Sequence, residues 1–396
     1  MQRAEKATRL CETRGVWLPY QAKGEPMMRR GNWNILLLSV VLVAFVTVQA
    51  NAETLNWIGT NNTTTNWNDS TKWNNLTSGG THTYPQAGDL AQIHVSVDNW
   101  TTLDIQGGAS VGSLSVRPRW GLYRIKTGWT GGRTFAFDNS GSDSILTISH
   151  ASSGFTGQLQ FAPDGYAMYI SLANNLVVQD DPARTNHHGS VSLGSLTTIT
   201  GGSTSSRRTI TVQTVGTGTS KTTLAISGSA TFTGDWVVNT SKATLDMNAD
   251  SFGHSSNTVT LQNGGILDLV TLGAFTWTRS LSGTGTVKTG GLTVDSGGSF
   301  NIAGAGAVVD ALSLQGALTL GTGSVLNVTG TIDVGDYIIV SSDTGITGTF
   351  GTENLGANMS LVYGASDVTL HVAIPEPATL AMLAVGGMGV LIRRRR

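Results

Sequence analysis

Apolar and polar residues alternate over short stretches along most of residues 53–373. Leu103 and Ile105 alternate with polar neighbours, and so do Leu114 and Val116. This period of two is typical of β-strands that bury one face. Gly, Ser, Thr and Asn separate the stretches, and these residues favour turns over long helices. The pattern therefore predicts an all-β protein.

A short pattern of small, apolar, polar and apolar residues recurs in the second half of the chain. Its copies lie at residues 243–247, 265–269, 298–302, 316–320 and 324–328. The first two copies are 22 residues apart, about one coil of a solenoid, whereas later spacings are uneven. Each strand is expected to turn Leu or Ile inward and Asp, Asn or Thr outward. Because one coil cannot bury its own apolar face, the coils must stack, which predicts a parallel β-helix (β-solenoid).

Four stretches support this prediction by resemblance: TFTGDWVV (231–238), NGGILDL (263–269), LSGTGTV (281–287) and GDYIIVSSDTGITGTF (335–350). They resemble the passenger-type parallel β-helix built from autotransporter-associated strand repeats. An array of β-sandwiches would produce similar strand patterns and is the alternative fold. We divide this part of the chain into a Trp-rich β region, 53–190, and a β-helix repeat region, 191–373. The segment 179–190 between them is expected to be an exposed loop.

The first region opens with tryptophans in polar surroundings. Its opening resembles the start of exported β-helix proteins in the following residues: Trp57, Trp67, Trp73, Pro85, Gly88 and Asp89. Bulky aromatic side chains can cover the open end of a solenoid, which is the interpretation we favour. The alternative is that Trp57, Trp67 and Trp73 expose their ring faces and stack on sugars, which would make this region carbohydrate-binding.

Residues 1–52 have the features of a leader that carries a signal peptide. Arg29 and Arg30 precede an apolar run at residues 35–48, and an A-x-A cleavage site follows at Ala50 and Ala52. Cleavage there would leave Glu53 as the first mature residue. The stretch before Met27 and Met28 makes an over-long leader, so translation is expected to start at one of these methionines.

Residues 374–396 contain three successive signals. Pro375, Glu376 and Pro377 are followed by an apolar run from Ala378 to Ile392. Fifteen apolar residues form a helix of roughly 22 Å, which is shorter than the ~30 Å hydrocarbon core but close enough to span it without tilt where the bilayer thins slightly. The basic cluster after it resists translocation and sets the topology; it comprises Arg393, Arg394, Arg395 and Arg396.

This order resembles the PEP-CTERM sorting signal of Gram-negative bacteria and their relatives. The resemblance implies that an exosortase-type enzyme recognises the Pro-Glu-Pro motif while the helix holds the chain transiently in the inner membrane. The cargo then moves to the cell envelope, the cell surface or an exopolysaccharide-rich extracellular matrix. Exopolysaccharide is accordingly a further candidate partner.

Charge and cysteine content exclude several classes of function. Between residues 53 and 373 the chain has 13 Lys and Arg against 21 Asp and Glu, a net charge of about −8. Nucleic acid is therefore not an expected partner, because phosphate binding needs a basic surface. The only cysteine, Cys11, lies in the leader, which leaves the mature chain without disulfides, thiol catalysis or Cys-ligated zinc.

Candidate chemistry in the cargo is sparse. His187 and His188 lie near Asp180 and Asp181, but their spacing matches no metal-binding signature, so neither a metal nor a cofactor is expected. A predicted outward column comprises Asp246, Asp268, Asn301 and Thr319. Polysaccharide lyases with this fold place acidic residues on neighbouring coils to bind calcium and a uronate chain. Solubility alone, however, explains polar residues at outward positions. No basic residue lies within these short repeats, as a lyase would require.

These observations lead to one functional prediction and two alternatives. The chain is expected to be an exported, non-enzymatic surface or extracellular-matrix protein that is delivered by its C-terminal signal. The first alternative is a carbohydrate-binding adhesin that uses the tryptophans. The second is a polysaccharide lyase or hydrolase built on the β-helix.

Overall fold

The computed structural model describes residues 52–374, except for 60–63, 95–100, 119–121, 129, 153 and 162–165. All of these residues belong to one compact unit of the chain. Within the described residues the structure is nearly all β, with two single 3₁₀ turns, Ser70–Lys72 and Val270–Leu272, and no α-helix. No helix in the described ranges is long and apolar enough to cross a membrane.

The strands of the first half are short and regularly spaced. They are β1 (Thr54–Trp57), β2 (Thr64–Asn66), β3 (Trp73–Asn75), β4 (Leu90–Ile93), β5 (Thr101–Asp104), β6 (Ala109–Val111), β7 (Ser113–Val116), β8 (Leu122–Lys126), β9 (Arg133–Phe137), β10 (Ser144–Ile148), β11 (Thr156–Phe161), β12 (Met168–Leu172), β13 (Leu176–Gln179), β14 (His188–Leu193), β15 (Thr197–Gly201), β16 (Arg208–Gln213), β17 (Lys221–Ile226) and β18 (Ser229–Ala230).

Several strands of the second half are longer because they continue around a corner. They are β19 (Gly234–Asn239), β20 (Ala243–Met247), β21 (Thr258–Asp268), β22 (Ala274–Trp277), β23 (Ser280–Lys288), β24 (Gly291–Val294), β25 (Ser299–Gly306), β26 (Val308–Val309), β27 (Leu312–Gln315), β28 (Leu318–Leu320), β29 (Val325–Ile332), β30 (Gly335–Ser342), β31 (Ile346–Gly348), β32 (Thr352–Asn354), β33 (Met359–Tyr363) and β34 (Asp367–Val372).

Parallel pairing arranges these strands on three faces. The first face runs β1, β4, β7, β10, β13, β16, β19, β21, β23, β25, β29 and β32. The second face runs β2, β5, β8, β11, β14, β17, β20, β21, β23, β27 and β30. The third face has two parts, β6-β9-β12-β15-β18 and β22-β24-β28-β31. Successive coils therefore stack on one another, in agreement with the predicted β-solenoid.

Coil length varies along the stack. On the first face Leu281 pairs with Phe300, 19 residues later, whereas Leu55 pairs with Ala91, 36 residues later. The stack nevertheless continues through residues 190 and 191, which both lie in β14. The two predicted regions are thus parts of one continuous ladder.

One apolar core fills the inside of the stack from Leu55 to Val372. Its side chains come from alternate strand positions, as in β20, where Ala243, Leu245 and Met247 are buried between half-buried neighbours. Burying one side of each strand removes apolar surface from water, and this stabilises the fold by about 25 cal/mol for each Å² buried. The alternation seen in the sequence is therefore the cause of the stacking.

Side-chain amides reinforce the outside of the first face. Asn327 donates from Nδ2 to Oδ1 of Asn301 over 2.7 Å, and Asn354 donates to Asn327 over the same distance. These residues occupy equivalent positions on successive coils. Such ladders satisfy the polar groups of adjacent coils and hold the strands in register.

The last coil is covered by an antiparallel hairpin. β34 pairs antiparallel with β30 on one side and with β33 on the other. Val368 and Leu370 of β34 are fully buried. The hairpin thus covers the edge of β30, the last coil strand of the second face.

Candidate functional site

The predicted sorting signal begins where the described fold ends. β34 ends at Val372, and Ile374, the last described residue, has a relative exposure of 72%. The Pro-Glu-Pro motif, the predicted transmembrane run from Ala378 to Ile392 and the four arginines lie outside the described residues. So does Ala50 of the predicted cleavage site, whereas Ala52 lies inside them.

Trp57, Trp67 and Trp73 form a buried cluster at the N-terminal end of the core. Their relative exposures are 0%, 0% and 5%, and both Trp57 and Trp67 pack edge-on against Trp73 at 5.1 Å between ring centroids. Trp67 also packs edge-on against Phe135. Trp73 donates from Nε1 to the Trp67 carbonyl over 2.8 Å.

This burial corrects the sugar-stacking hypothesis for these three residues. Stacking on a sugar needs an open ring face, and none of the three rings offers one. β1 shows the reason, because its inward positions are Leu55 and Trp57. The polar neighbours of the tryptophans in the sequence occupy the outward positions. The favoured interpretation is that the tryptophans cover the end of the core. Their observed burial is what this interpretation requires.

A polar cluster lies directly beside this end of the core. The Asp89 carboxylate is only 1% exposed and accepts hydrogen bonds from the backbone nitrogens of Glu53 and Gln86, each over 2.9 Å. Nδ1 of His82 lies 2.7 Å from Oδ2 of Asp89. The sequence pattern identified Asp89 as part of the opening but gave no role to His82 or to the Glu53 side chain.

The Glu53 carboxylate completes this cluster. It accepts hydrogen bonds from the backbone nitrogens of Thr81 and His82, each over 2.8 Å, and from the Asn75 amide. Burial by itself would raise the pKa of Glu53, but these hydrogen bonds stabilise the charged form and hold the pKa below its usual value. The cluster therefore brings two acidic side chains together beneath the surface.

A groove of about 460 Å³ opens next to the cluster on the first face. Ala52, Glu53 and Asp89 line one end of it, and His94 and Arg117 line another part. Nε2 of His94 lies 2.7 Å from Oγ of Ser115. Burial, with a further contribution from the positive charge of Arg117, lowers the pKa of His94 to about 4. His94 is thus neutral at physiological pH.

The segment 179–190, predicted as an exposed loop, is exposed only at Pro182, Ala183 and Thr185. Asp180, Asp181 and His187 are all buried. Asp180 accepts hydrogen bonds from the backbone nitrogens of Val215 and Gly216, and Asp181 forms an ion pair with Arg117 over 2.6 Å. The acidic pair is therefore used by the fold, which the local polarity of the segment did not indicate.

These contacts leave the predicted histidine and aspartate group without the geometry of a metal site. Nδ1 of His187 bonds to the His150 carbonyl rather than facing a shared centre. Across the ranges that the structure describes, no three His, Cys, Asp or Glu side chains converge closely enough to hold a metal ion.

The predicted outward column is wrong in part. Asp246 and Asp268 do pair in register on the second face, where Asp268 in turn pairs with Lys288. Asn301 lies on the first face and Thr319 on the third. Because coil length varies, copies of the same sequence pattern fall on different faces.

The second face supplies a basic residue beside the two aspartates. Nζ of Lys288 lies 4.0 Å from Oδ2 of Asp268. Burial, and then the negative charge of Asp268, raises the pKa of Asp246 above its usual value. The short repeats themselves contain no basic residue, but the neighbouring coil provides one. Their composition therefore did not predict whether a basic residue lies beside the aspartates.

Comparison with known families identifies the tail. Residues 373–396 match the family model described as the PEP-CTERM protein-sorting motif. No curated protein matches the chain. The match confirms the sorting signal predicted from the residues and indicates an exported protein that is processed by an exosortase-type enzyme. It does not extend into the cargo, so the likeness to autotransporter strand repeats stays a prediction.

Proposed function

We propose that this chain is an exported, non-enzymatic protein of the bacterial surface or extracellular matrix. Its role is carried by a β-solenoid cargo that the C-terminal signal delivers. The observation that carries the proposal is the position of the sorting motif. The motif begins at residue 373, directly after β34, the last strand of the C-terminal hairpin. In the sequence, the signal thus begins where the last strand of the cargo ends.

The order of the tail assigns each part a step. The signal peptide directs the chain across the inner membrane, and the run from Ala378 to Ile392 holds it there. Four terminal arginines keep the end of the chain on the cytoplasmic side, because charged side chains are costly to move through a bilayer. The exosortase-type enzyme then recognises Pro375, Glu376 and Pro377, and the cargo leaves the membrane.

The outer faces of the cargo suit a passive role. Asp268 is matched by Lys288 on the second face, and Arg117 and Arg184 share Asp181 beside the groove. We therefore expect the exported protein to leave uronic-acid polymers uncleaved. Release of unsaturated sugar products that is abolished by Asp246→Asn would establish the lyase alternative instead.

The sorting step is tested by changing the two prolines together. In a bacterium that carries an exosortase-type enzyme, the double variant Pro375→Ala, Pro377→Ala is expected to stay in the inner-membrane fraction at its unprocessed mass. The unchanged chain should reach the envelope or the medium with its tail shortened. Cell fractionation with intact-mass analysis measures both quantities.

Pro182→Ala is the matched control, because Pro182 is an exposed proline of the cargo outside the motif. This variant should be sorted like the unchanged chain. If the double variant also leaves the membrane and is processed normally, the Pro-Glu-Pro motif is not the element that the enzyme recognises.

A further inference from the structure

Each hydrogen-bonding group of Glu53 has a specific partner. Its backbone nitrogen donates to Oδ1 of Asp89 over 2.9 Å, and its carbonyl accepts from the nitrogen of Leu90 over 2.8 Å. Its two carboxylate oxygens accept from the nitrogens of Thr81 and His82. Both ends and the side chain of this single residue are therefore fixed in place.

The residue before it is in a different environment. Ala52 is exposed and lies at the wall of the groove, whereas Glu53 is only 6% exposed. The change from exposed to buried takes place at the Ala52–Glu53 peptide bond. This is the bond that follows the A-x-A pattern at Ala50 and Ala52. Glu53, the first residue that the predicted cleavage would leave, is thus also the first buried residue of the described part of the chain.

Acidic side chains predominate around the Glu53 nitrogen. The groups that face it are the carboxylates of Asp89 and Glu53, 1% and 6% exposed, and the imidazole of His82. Burying a carboxylate without a matching cation is costly. A positive charge at this nitrogen would lie 2.9 Å from the Asp89 carboxylate and attract it.

We propose that the Asp89 carboxylate is a built-in binding site for the new α-ammonium group of Glu53 and that signal-peptide removal completes it. This rests on the export that we propose for the chain. A signal peptidase adds water across the Ala52–Glu53 bond. The carbonyl carbon of Ala52 becomes a carboxylate, and the nitrogen of Glu53 becomes –NH₃⁺, so that atoms and charge balance.

The new group already lies where the ion pair needs it. The nitrogen is 2.9 Å from Oδ1 of Asp89, so a hydrogen bond between two charged groups replaces one from a neutral amide to the carboxylate, without movement of the backbone. The amide–carboxylate bond is already charge-assisted, and the ammonium group adds the attraction of a full positive charge at the same distance. Removal of exposed Ala52 opens the nitrogen to the groove, where water can bind the other two hydrogens. Processing therefore stabilises the N-terminal end of the core.

Two insertions into the full chain separate this effect from export. Gly-Ser-Gly inserted between Ala52 and Glu53 leaves the cleavage site intact, but the exported protein then carries three extra residues and an amide at Glu53. The same three residues inserted between Gln49 and Ala50 lengthen only the leader and serve as the matched control. Mass spectrometry of the exported proteins reads their N-termini, and thermal unfolding reads their Tm.

The control is expected to begin at Glu53, with a Tm at pH 6–7 about 2–4 °C above that of the extended protein. A free α-amino group has a pKa of about 8 when unfolded, and a neighbouring carboxylate raises it in the fold. The added stability is therefore complete below about pH 8 and is lost as pH rises through the folded pKa. Carboxylates and imidazoles ordinarily titrate below this range, so the difference in Tm should close between about pH 8 and 11.

Asp89→Asn in both insertion backgrounds should abolish the difference. Should that variant fail to accumulate, the pH series of the two insertions decides alone, because both keep Asp89. Equal Tm values at pH 6–7, or an exported protein that begins at a residue other than Glu53, would overturn the inference. Neither result affects the proline experiment, which measures the location of the chain and the processing of its tail. The two proposals can therefore fail separately.

Discussion

At the scale of single residues, burial decides which predictions succeed. Trp57 and Trp67 stand among polar residues in the sequence, yet both are fully buried because they occupy inward strand positions. Asp180 and Asp181 are buried although their segment is rich in polar residues. Local polarity could not reveal this, because their partners Val215, Gly216 and Arg117 are distant in sequence.

His94 gives a prediction at this scale. Because its folded pKa is about 4 and an unfolded histidine has a pKa near 6.5, only the unfolded chain binds the proton between these values. The free energy of unfolding should therefore fall as pH decreases from about 6.5 to about 4. His94→Gln removes this titration and should flatten that part of the stability profile, measured by urea unfolding at several pH values.

The matched control is His254→Gln, because His254 has an exposed ring. This variant should keep the slope of the unchanged protein. Equal slopes for all three proteins would show that His94 remains free to bind a proton in the folded state.

At the scale of strands, the sequence was a good guide to where strands occur and a poor guide to the face on which they lie. The repeats at 243–247 and 265–269 do form paired strands in neighbouring coils, at the spacing of one coil. Asn301 and Thr319 were assigned to the same column and lie on other faces. The alternation of residues determines which side chains of a strand point into the core and which point outward. The face on which the strand lies depends on the length of each coil. Coil length depends in turn on the corners between strands, and no local sequence pattern marks these corners.

One such corner lies in β23, where the strand turns from the first face to the second. Gly283 has φ +89°, and a Cβ there would lie 2.0 Å from the Leu261 carbonyl oxygen on the coil below. Only glycine adopts this backbone region without strain. We expect Gly283→Ala to lower the free energy of unfolding by about 2–4 kcal/mol, as measured by urea unfolding.

Gly291→Ala provides the control in the next strand. A Cβ at Gly291 would meet no atom within 4 Å, and its φ is not in the positive region. Its replacement should change stability by less than about 0.5 kcal/mol. Similar losses for both variants would contradict the role of Gly283 as a corner.

At the scale of the whole molecule, the hairpin of β33 and β34 closes a stack that could otherwise continue. Open ends of solenoids present unpaired strands and apolar surface, so they tend to associate. The hairpin could not be predicted from the residue pattern, because its strands alternate like those of the coils. Its antiparallel pairing is a property of the chain path.

Leu370→Asp tests the role of the hairpin, because Leu370 lies in β34 and is fully buried. A charge at this position should detach β34 and expose the edge of β30, since burying an unpaired carboxylate is costly. We expect dimers and larger species by size-exclusion chromatography with light scattering. Val362→Asp, at a side chain that is 57% exposed in β33, should stay monodisperse. Association of both variants to the same extent would contradict the capping role.

The chain enters and leaves the stack at opposite ends, since Ala52 precedes β1 and Ile374 follows the hairpin on the last coil. With neighbouring strands about 4.8 Å apart, the first face from β1 to β32 extends over roughly 50 Å. In the proposed sorting route, the tail is held in the inner membrane until it is processed. The tryptophan cluster and the groove beside it would then lie up to roughly 50 Å from the point where the chain leaves the fold, which is more than the ~30 Å thickness of the hydrocarbon core. Under that proposal, this distance limits how thick a polymer layer the N-terminal end can cross before the tail is processed.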